Sequence, residues 1–568
     1  MRLPGFPLVA SLCLLWLVGC AAHPSLAPGE YRISGELRGV GGAAPRDALV
    51  ILTRLEDRAS RPLVKAPVAS DGHFSLVAPG PGDYSLWLTA PGHPGQQLYL
   101  QMVADKPALS LQATLATYDY LEDIDVPSIV GSWNGFNPYM AEFMLAQPDG
   151  TWVFERAVEG DSVTYQLLGL TRDGRAVPGP QAEGYELADS GGYRSRVSVR
   201  EGRVRIVLDP RALSRATSPF LVTFAPPYAS LDRINALHAR ASSLSKLAWH
   251  EVLNGRLKRG QKFDYGTLPQ ELLDFARGSH PFPVMRQMAA LDVLGLPVYA
   301  FTTHHPGERG EALAAELLQL LPANNPRWAM APSGLGTLAS LVNPSTVERF
   351  WMDAAERNPE ESVQAFALST LLEKASKEKD TQRVASLVDR LKPYAEKHMV
   401  ARATIESVSP SKPRDEQAPH VVKGQLAPAF SAELLEGQGV VSRESLLGRF
   451  YLIDFWATWC KPCLGELGSL HAAAEKFNGR GGFTVLSVSL DQDEEQVRRF
   501  RAGKWKMPWM HVFAGFDFQA PLPAAFQLES LPFAVLVDAR GNVVATQAQL
   551  RGEELEKTLD ALLPARAP

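Results

Sequence analysis

The feature that most limits what this chain can fold into is a nearly continuous apolar run, Tyr451-Leu452-Ile453-Asp454-Phe455-Trp456, followed at once by Trp459-Cys460-Lys461-Pro462-Cys463 and a helical stretch toward Phe477. Such a run fits a strand buried on both faces, so the local order is strand, turn, helix, with Cys460 at the helix start. A cysteine at a helix N-terminus has its pKa lowered by unpaired backbone N–H groups and by the helix dipole, and the thiolate is the reactive form. Cys463 lies about one turn further in, close enough to attack a mixed disulfide formed on Cys460. Pro462 suits an early helix position, where its missing N–H costs nothing, and Lys461 adds positive charge beside the thiolate.

The other two cysteines, Cys13 and Cys20, sit at the N-terminus. There Arg2 precedes an apolar run from Leu8 to Val18 that is short for a bilayer span and reads as an export signal. The run stops at Leu17-Val18-Gly19-Cys20, which resembles the bacterial lipobox. That resemblance implies a lipoprotein signal peptide over 1–19, a lipid on Cys20 as the mature N-terminus, and a tether over 20–30. An uncleaved anchor, or an ordinary signal peptide with an incidental cysteine, is the alternative; either puts the body outside the cytoplasm. Ala21 stands where an aspartate would resemble an inner-membrane retention signal, which favours the outer membrane.

On this reading only Cys460 and Cys463 remain as redox thiols. Exported proteins use disulfides as staples, but the loop these two close is too small to contribute much chain-entropy stabilisation. Half a zinc site is the other use of such a pair, and zinc would need a second pair of ligands; no metal and no cofactor is therefore expected. His304-His305, before Pro306-Gly307, lacks the company and spacing of a zinc site and reads as a surface loop.

At 568 residues the chain is too long for one core. A net charge of -5 with 21% charged residues leaves no basic stripe for nucleic acid. The expected architecture is multidomain: two N-terminal β-sandwiches, an α-helical middle region and a C-terminal α/β domain. Over 31–116 short alternating runs such as Ala48-Leu49-Val50-Ile51-Leu52 are broken by Asp71-Gly72 and Pro79-Gly80-Pro81-Gly82 turns, an order that resembles the carboxypeptidase regulatory-like β-sandwich. Over 117–225, Val130-Gly131-Ser132-Trp133-Asn134-Gly135-Phe136 and Asp149-Gly150-Thr151-Trp152 resemble glycogen-binding early-set modules. That makes Trp133, Phe136 and Trp152 candidate glycan contacts; the competing reading is that these rings are core or corner residues of a sandwich. From 226 to 408 the period becomes helical, as in Val384, Leu387, Val388 and Leu391, with no repeat that names a solenoid. A polar, proline-rich linker fills 409–424.

From 425 to 568 the pattern extends beyond the cysteine motif, with strands expected at Phe483 to Ser489 and Phe533 to Val537, an Asp538-Ala539-Arg540-Gly541-Asn542 turn and a closing helix. This part resembles the TlpA/ResA-like family of membrane-tethered thioredoxins, which implies a thioredoxin fold. It also implies a cis-proline facing the cysteines, matched by Leu531-Pro532-Phe533, where the adjoining backbone pairs with an incoming polypeptide. Asp454, six residues before Cys460, matches the buried aspartate of ordinary thioredoxins; Glu466, three after Cys463, matches the glutamate of ResA-like proteins. Either could take the proton of Cys463. A carboxylate inside an apolar strand is costly without a purpose, which favours Asp454, while Glu466 also reads as a solvated helix residue. Gly468 departs from the pattern, since many relatives carry a helix-bending proline there.

These readings converge on a protein-disulfide oxidoreductase, lipid-anchored in the bacterial envelope with its thioredoxin domain in the periplasm. The resemblance favours a reductase, used for cytochrome c maturation or a similar task and fed by a membrane electron donor. A thiol peroxidase of the same superfamily would need a threonine three residues before the reactive cysteine, where Ala457 stands. A glycan- or partner-binding surface lipoprotein is the alternative from another class, and the intact cysteine pair argues against it.

Overall fold

The computed structural model describes residues 29–55, 61–188, 191–253, 263–296, 308–331, 334, 338, 344–408, 421–437, 439–491, 493–502 and 505–564. The expected signal peptide with Cys20, the His304-His305 loop and most of the 409–424 linker lie outside the described residues. Among the described residues no helix is long and apolar enough to cross a membrane.

The first β unit comprises β1 (Tyr31–Arg38), β2 (Leu49–Arg54), β3 (Val64–Pro67), β4 (His73–Ala78), β5 (Gly82–Thr89), β6 (Gln96–Met102) and β7 (Ala108–Thr114). One of its sheets runs β3-β2-β5-β6. In the other, β4 and β7 alternate exposed and buried residues, as a sheet does when one face meets a core and the other water.

The second unit holds β8 (Ser128–Gly131), β9 (Glu142–Phe143), β10 (Leu145–Ala146), β11 (Trp152–Ala157), β12 (Ser162–Leu168), β13 (Gly184–Leu187), β14 (Tyr193–Ser198) and β15 (Arg203–Leu208). They form sheets β13-β14-β12-β8-β9 and β10-β11-β15 around Phe154, Tyr165 and Ile206. The strand β16 (Leu221–Phe224), expected to close this unit, instead pairs antiparallel with β7, giving the first unit a sheet β16-β7-β1-β4. Alternation reveals which face of a strand is buried, not which strand it pairs with, so the boundary near 225 was displaced.

The helical region follows as α1 (Leu231–Leu253), α2 (Leu268–Arg277), α3 (Val284–Gly295), α4 (Glu308–Leu320), α5 (Pro344–Arg357), α6 (Glu361–Lys377), α7 (Thr381–Leu391) and α8 (Met399–Val408). On α7 the Asp380 carboxylate accepts the Arg383 N–H at 3.0 Å, capping the helix. Leu387 and Leu391 are buried, with Val384 and Val388 packed beside them, as their spacing predicts.

This region shares one continuous core with the first sandwich, running from Ile33 and Leu86 through Leu272 and Met288 to Leu371. Polar ties cross the same boundary. The Asn235 side chain of α1 accepts the Tyr99 N–H at 2.6 Å and donates to the Tyr99 carbonyl at 3.1 Å. The Tyr99 hydroxyl lies 2.6 Å from His238 Nδ1, itself 2.9 Å from Asp292 on α3.

The C-terminal domain is a thioredoxin fold. A small hairpin, β17 (Ser431–Glu433) and β18 (Val440–Ser442), precedes β19 (Tyr451–Trp456), α9 (Lys461–Phe477), β20 (Thr484–Ser489), α10 (Glu494–Ala502), β21 (Met510–Phe513), α11 (Pro521–Ala525), β22 (Phe533–Val537), β23 (Val543–Thr546) and α12 (Gly552–Leu562). The sheet order is β21-β20-β19-β22-β23, with β19 parallel to β20 and antiparallel to β22. The central β19 is covered on both faces. Leu452 and Trp456 pack with Leu467, Leu470 and Leu559, whereas Tyr451, Ile453 and Phe455 pack with Leu522 and Phe526. With a side-chain period of two, Asp454 falls on the face of Leu452 and Trp456, beneath the helix that carries Cys463.

Candidate active site

The turn after β19 leads straight into α9, whose N-cap residue is Cys460. The Cys463 N–H donates to Cys460 Sγ at 3.2 Å, so an orphan donor of the helix start points at the sulfur. The two sulfurs are joined as a disulfide, with Cα atoms 5.2 Å apart, and both cysteines are nearly inaccessible, at 4% and 3%. Pro462 is the second helical residue and leaves no intrahelical bond broken. Lys461 opens the helix; its side chain lies outside what the structure describes.

Behind Cys463 is a cavity of about 20 Å3 lined by Asp454, Glu466, Pro532 and Arg551 among apolar side chains. That volume is enough for one water molecule. Burial pushes the Asp454 carboxyl up to about 7; Ser487, whose hydroxyl donates to it at 3.3 Å, opposes the rise, Glu466 adds to it by like charge, and Arg551 opposes it. Ser487 is itself fixed by the Trp509 indole N–H at 2.9 Å. Glu466 Oε2 accepts the Gly552 N–H at 2.7 Å, satisfying an orphan donor at the start of α12. Glu466 is therefore a held cavity residue rather than a solvated one. The Leu531-Pro532 peptide is cis, and the Pro532 carbonyl accepts from Arg551 Nη2.

Sequence reasoning thus named five residues that the fold brings together, Cys460, Cys463, Asp454, Glu466 and Pro532. It missed Arg551 and the support of the turn itself. Asp491, fully buried, accepts the Thr458 N–H at 3.0 Å and the Thr458 hydroxyl at 2.6 Å, and takes a third bond from Ser489 at 2.7 Å. Burial raises its carboxyl above the usual range. Trp459 donates its indole N–H to the Leu490 carbonyl at 3.2 Å, and its ring meets the exposed Phe516 edge-on at 5.4 Å. A signal for Asp491 was available, since it follows the apolar strand β20 as Thr458 follows β19; Arg551 had none.

The candidate glycan residues stand apart from this site, and none of the three rings is exposed. Trp133 stacks on Phe154 at 5.3 Å and donates to Glu142 at 3.0 Å, Trp152 packs on the sandwich core, and Phe136 lies under the Arg194 guanidinium at 3.7 Å. Those are packing roles. A wider cleft of about 720 Å3, lined by His471, Arg501 and Trp509, opens at the β21 edge and includes neither cysteine. Among the described residues no cluster of three His, Cys, Asp or Glu side chains could hold a metal.

A thioredoxin-like family model matches residues 448–543. Tryparedoxin of Trypanosoma brucei brucei is 32% identical over 123 residues, 21% of this chain and 83% of that protein. The thiol-disulfide oxidoreductase ResA of Bacillus cereus is 27% identical over 146 residues, 26% of this chain and 79% of that protein. Among solved structures, the thioredoxin domain of a thiol-disulfide oxidoreductase from Bacteroides vulgatus matches with 29% identity and a TM-score of 0.23, covering 25% of this chain and 99% of that one. By the C-terminal domain that carries this cysteine pair, the chain belongs to the thioredoxin-like family and is a thiol-disulfide oxidoreductase similar to ResA.

Proposed function

We propose that the protein is a lipid-anchored reductase of protein disulfides in the bacterial envelope, working through Cys460 and Cys463. The observation that carries this reading is the pairing of Cys460, as helix N-cap, with a Cys463 that lines a cavity shared with Asp454 and Glu466. In the reduced enzyme the Cys460 thiolate attacks one sulfur of a substrate disulfide. That bond breaks, one substrate thiolate leaves, and Cys460 is joined to the other half. Cys463 gives its proton to Asp454 and attacks Cys460 Sγ, expelling the second substrate thiolate and forming the Cys460-Cys463 disulfide. Two electrons pass to the substrate, whose thiolates take up two protons, one by way of Asp454. A membrane dithiol donor then returns two electrons to the enzyme. Pro532, with its backbone beside the pair, receives the substrate polypeptide. The lipobox-like Leu17-Val18-Gly19-Cys20 supports export and anchoring through Cys20.

The test is Cys463→Ser in the full-length protein expressed in its native envelope. Cys460 can still attack but nothing releases the partner, so mixed disulfides accumulate on non-reducing gels and vanish with dithiothreitol, and the double variant Cys460→Ser/Cys463→Ser traps nothing. Failure of the parent to reduce insulin, together with no trapped adduct, would sink the proposal.

A further inference from the structure

The second sandwich carries no cysteine, yet it reaches the active-site turn. Its short strand β9 lies against α10 of the thioredoxin domain. Phe143 of β9 meets Phe500 of α10 with ring centroids 5.2 Å apart, and Phe500 in turn meets Trp456, the last residue of β19, at 5.3 Å. Beside them Glu142, held on its own side by Trp133 and Arg156, lies 3.8 Å from Arg499. Between the two domains sits Gln496, only 8% exposed. Its amide donates to the Ala141 carbonyl of the sandwich at 3.0 Å and to the Thr458 hydroxyl at 2.8 Å. Thr458, bonded to Asp491 through both N–H and hydroxyl, stands two residues before Cys460.

We propose that the second sandwich sets the redox equilibrium of the Cys460-Cys463 pair through this seam, with Gln496 as a positioning residue for the Ala457–Cys460 turn; the inference rests on the disulfide exchange proposed above. A buried amide with both donors satisfied loses a bond if either side moves, and an unsatisfied buried donor is costlier than the bond itself was worth. The aromatic line Phe143, Phe500 and Trp456 adds apolar area that opening the seam would return to water. Both terms favour the turn in the conformation seen here, which is that of the disulfide. A contact can shift an equilibrium only by its differential strength in the two states, and this one is made with the oxidised state. Loosening the seam therefore lowers the stability of the disulfide relative to the dithiol and makes the enzyme a weaker reductant.

The experiment equilibrates the full-length parent, Gln496→Leu and Phe143→Ala with a series of glutathione ratios and counts free thiols. Phe143→Ala alters only the sandwich side of the seam, so a change in the cysteine pair must cross the interface; it also stands in if Gln496→Leu does not fold. Thermal unfolding identifies the variants that are folded. The expected result is a shift of about threefold to tenfold toward the dithiol in each folded variant, the span of a single hydrogen bond or small apolar contact. An equilibrium unchanged in both variants, or moved toward the disulfide, overturns the inference while leaving the oxidoreductase reading intact. A parent that neither equilibrates with glutathione nor reduces insulin overturns both.

Discussion

Asp454 is an acid where its neighbours in β19 are apolar, and burial holds its carboxyl near 7 rather than near 3.8. Around neutral pH it therefore changes from acid to carboxylate, and only the carboxylate can take the Cys463 proton. The raised value also carries a stability term. The native state binds this proton more tightly than the unfolded chain, so the contribution is fully present below the unfolded value and is lost as pH rises from about 4 to about 7. Asp454→Asn carries no such loss. The expected outcome is a variant about 2–4 kcal/mol more stable than the parent at pH 8 and of similar stability at pH 4, measured by urea unfolding of the oxidised proteins. In single-turnover reduction of a mixed disulfide, the parent rate rises through pH 7, while the variant is about tenfold to a hundredfold slower above it and shows no such rise. Asp454 was legible because an isolated charge inside an apolar strand needs a reason. Arg551, which faces the same cavity from the N-cap of α12, was not, since nothing local distinguishes an arginine that points at Pro532 from one in water.

Strand, turn and helix around the cysteines were readable as elements because burial on both faces, an N-terminal proline and helical spacing all agree there. The helix α9 runs from Lys461 to Phe477 through Gly468, where the resemblance led one to look for a proline. Gly468 is exposed, and a Cβ built on it would meet only the Trp505 ring, at 3.8 Å, an ordinary contact. Glycine in a helix interior costs roughly 0.5–1 kcal/mol relative to alanine. Gly468→Ala is therefore expected to stabilise the thioredoxin domain by about that amount in urea unfolding, with the glutathione equilibrium of the cysteine pair unchanged. A loss of stability would mean that the packing of α9 against Trp505 has no room for a methyl group. The strand β16 shows where element reading stops: its residues announce a strand, but its partner β7 lies more than a hundred residues earlier, and no local pattern specifies that pairing.

At the scale of the whole molecule, the first sandwich and the helical region, expected as successive regions of the chain, build one core together. The reason is geometric. The sheet β3-β2-β5-β6 ends at β6, whose outer edge leaves backbone groups unpaired, and α1 supplies the missing partner through the Asn235 side chain. Asn235 is fully buried and gives its remaining donor to the Leu231 carbonyl at 3.0 Å. Alanine at this position would strand both the N–H and the carbonyl of Tyr99 inside the core, at about 2–4 kcal/mol. Because the core is shared, that cost falls on the sandwich and the helices together. Hydrogen exchange read by mass spectrometry should show peptides of β6 and of α1 to α3 losing protection in parallel in Asn235→Ala, with peptides of β19 and α9 unaffected. Loss confined to the helices would mean that the first sandwich folds without them, and loss that reaches β19 would mean that the thioredoxin domain leans on this core as well as on the seam at β9. The peptides of β19 are the decisive ones, because the seam joins the thioredoxin domain to the second sandwich, whose apolar core around Phe154 and Tyr165 is a cluster separate from the one that Leu86, Met288 and Leu371 share. Protection there that survives Asn235→Ala but falls in Phe143→Ala would locate the connection to the cysteine pair in the seam at Ala141–Phe143 rather than in the shared core.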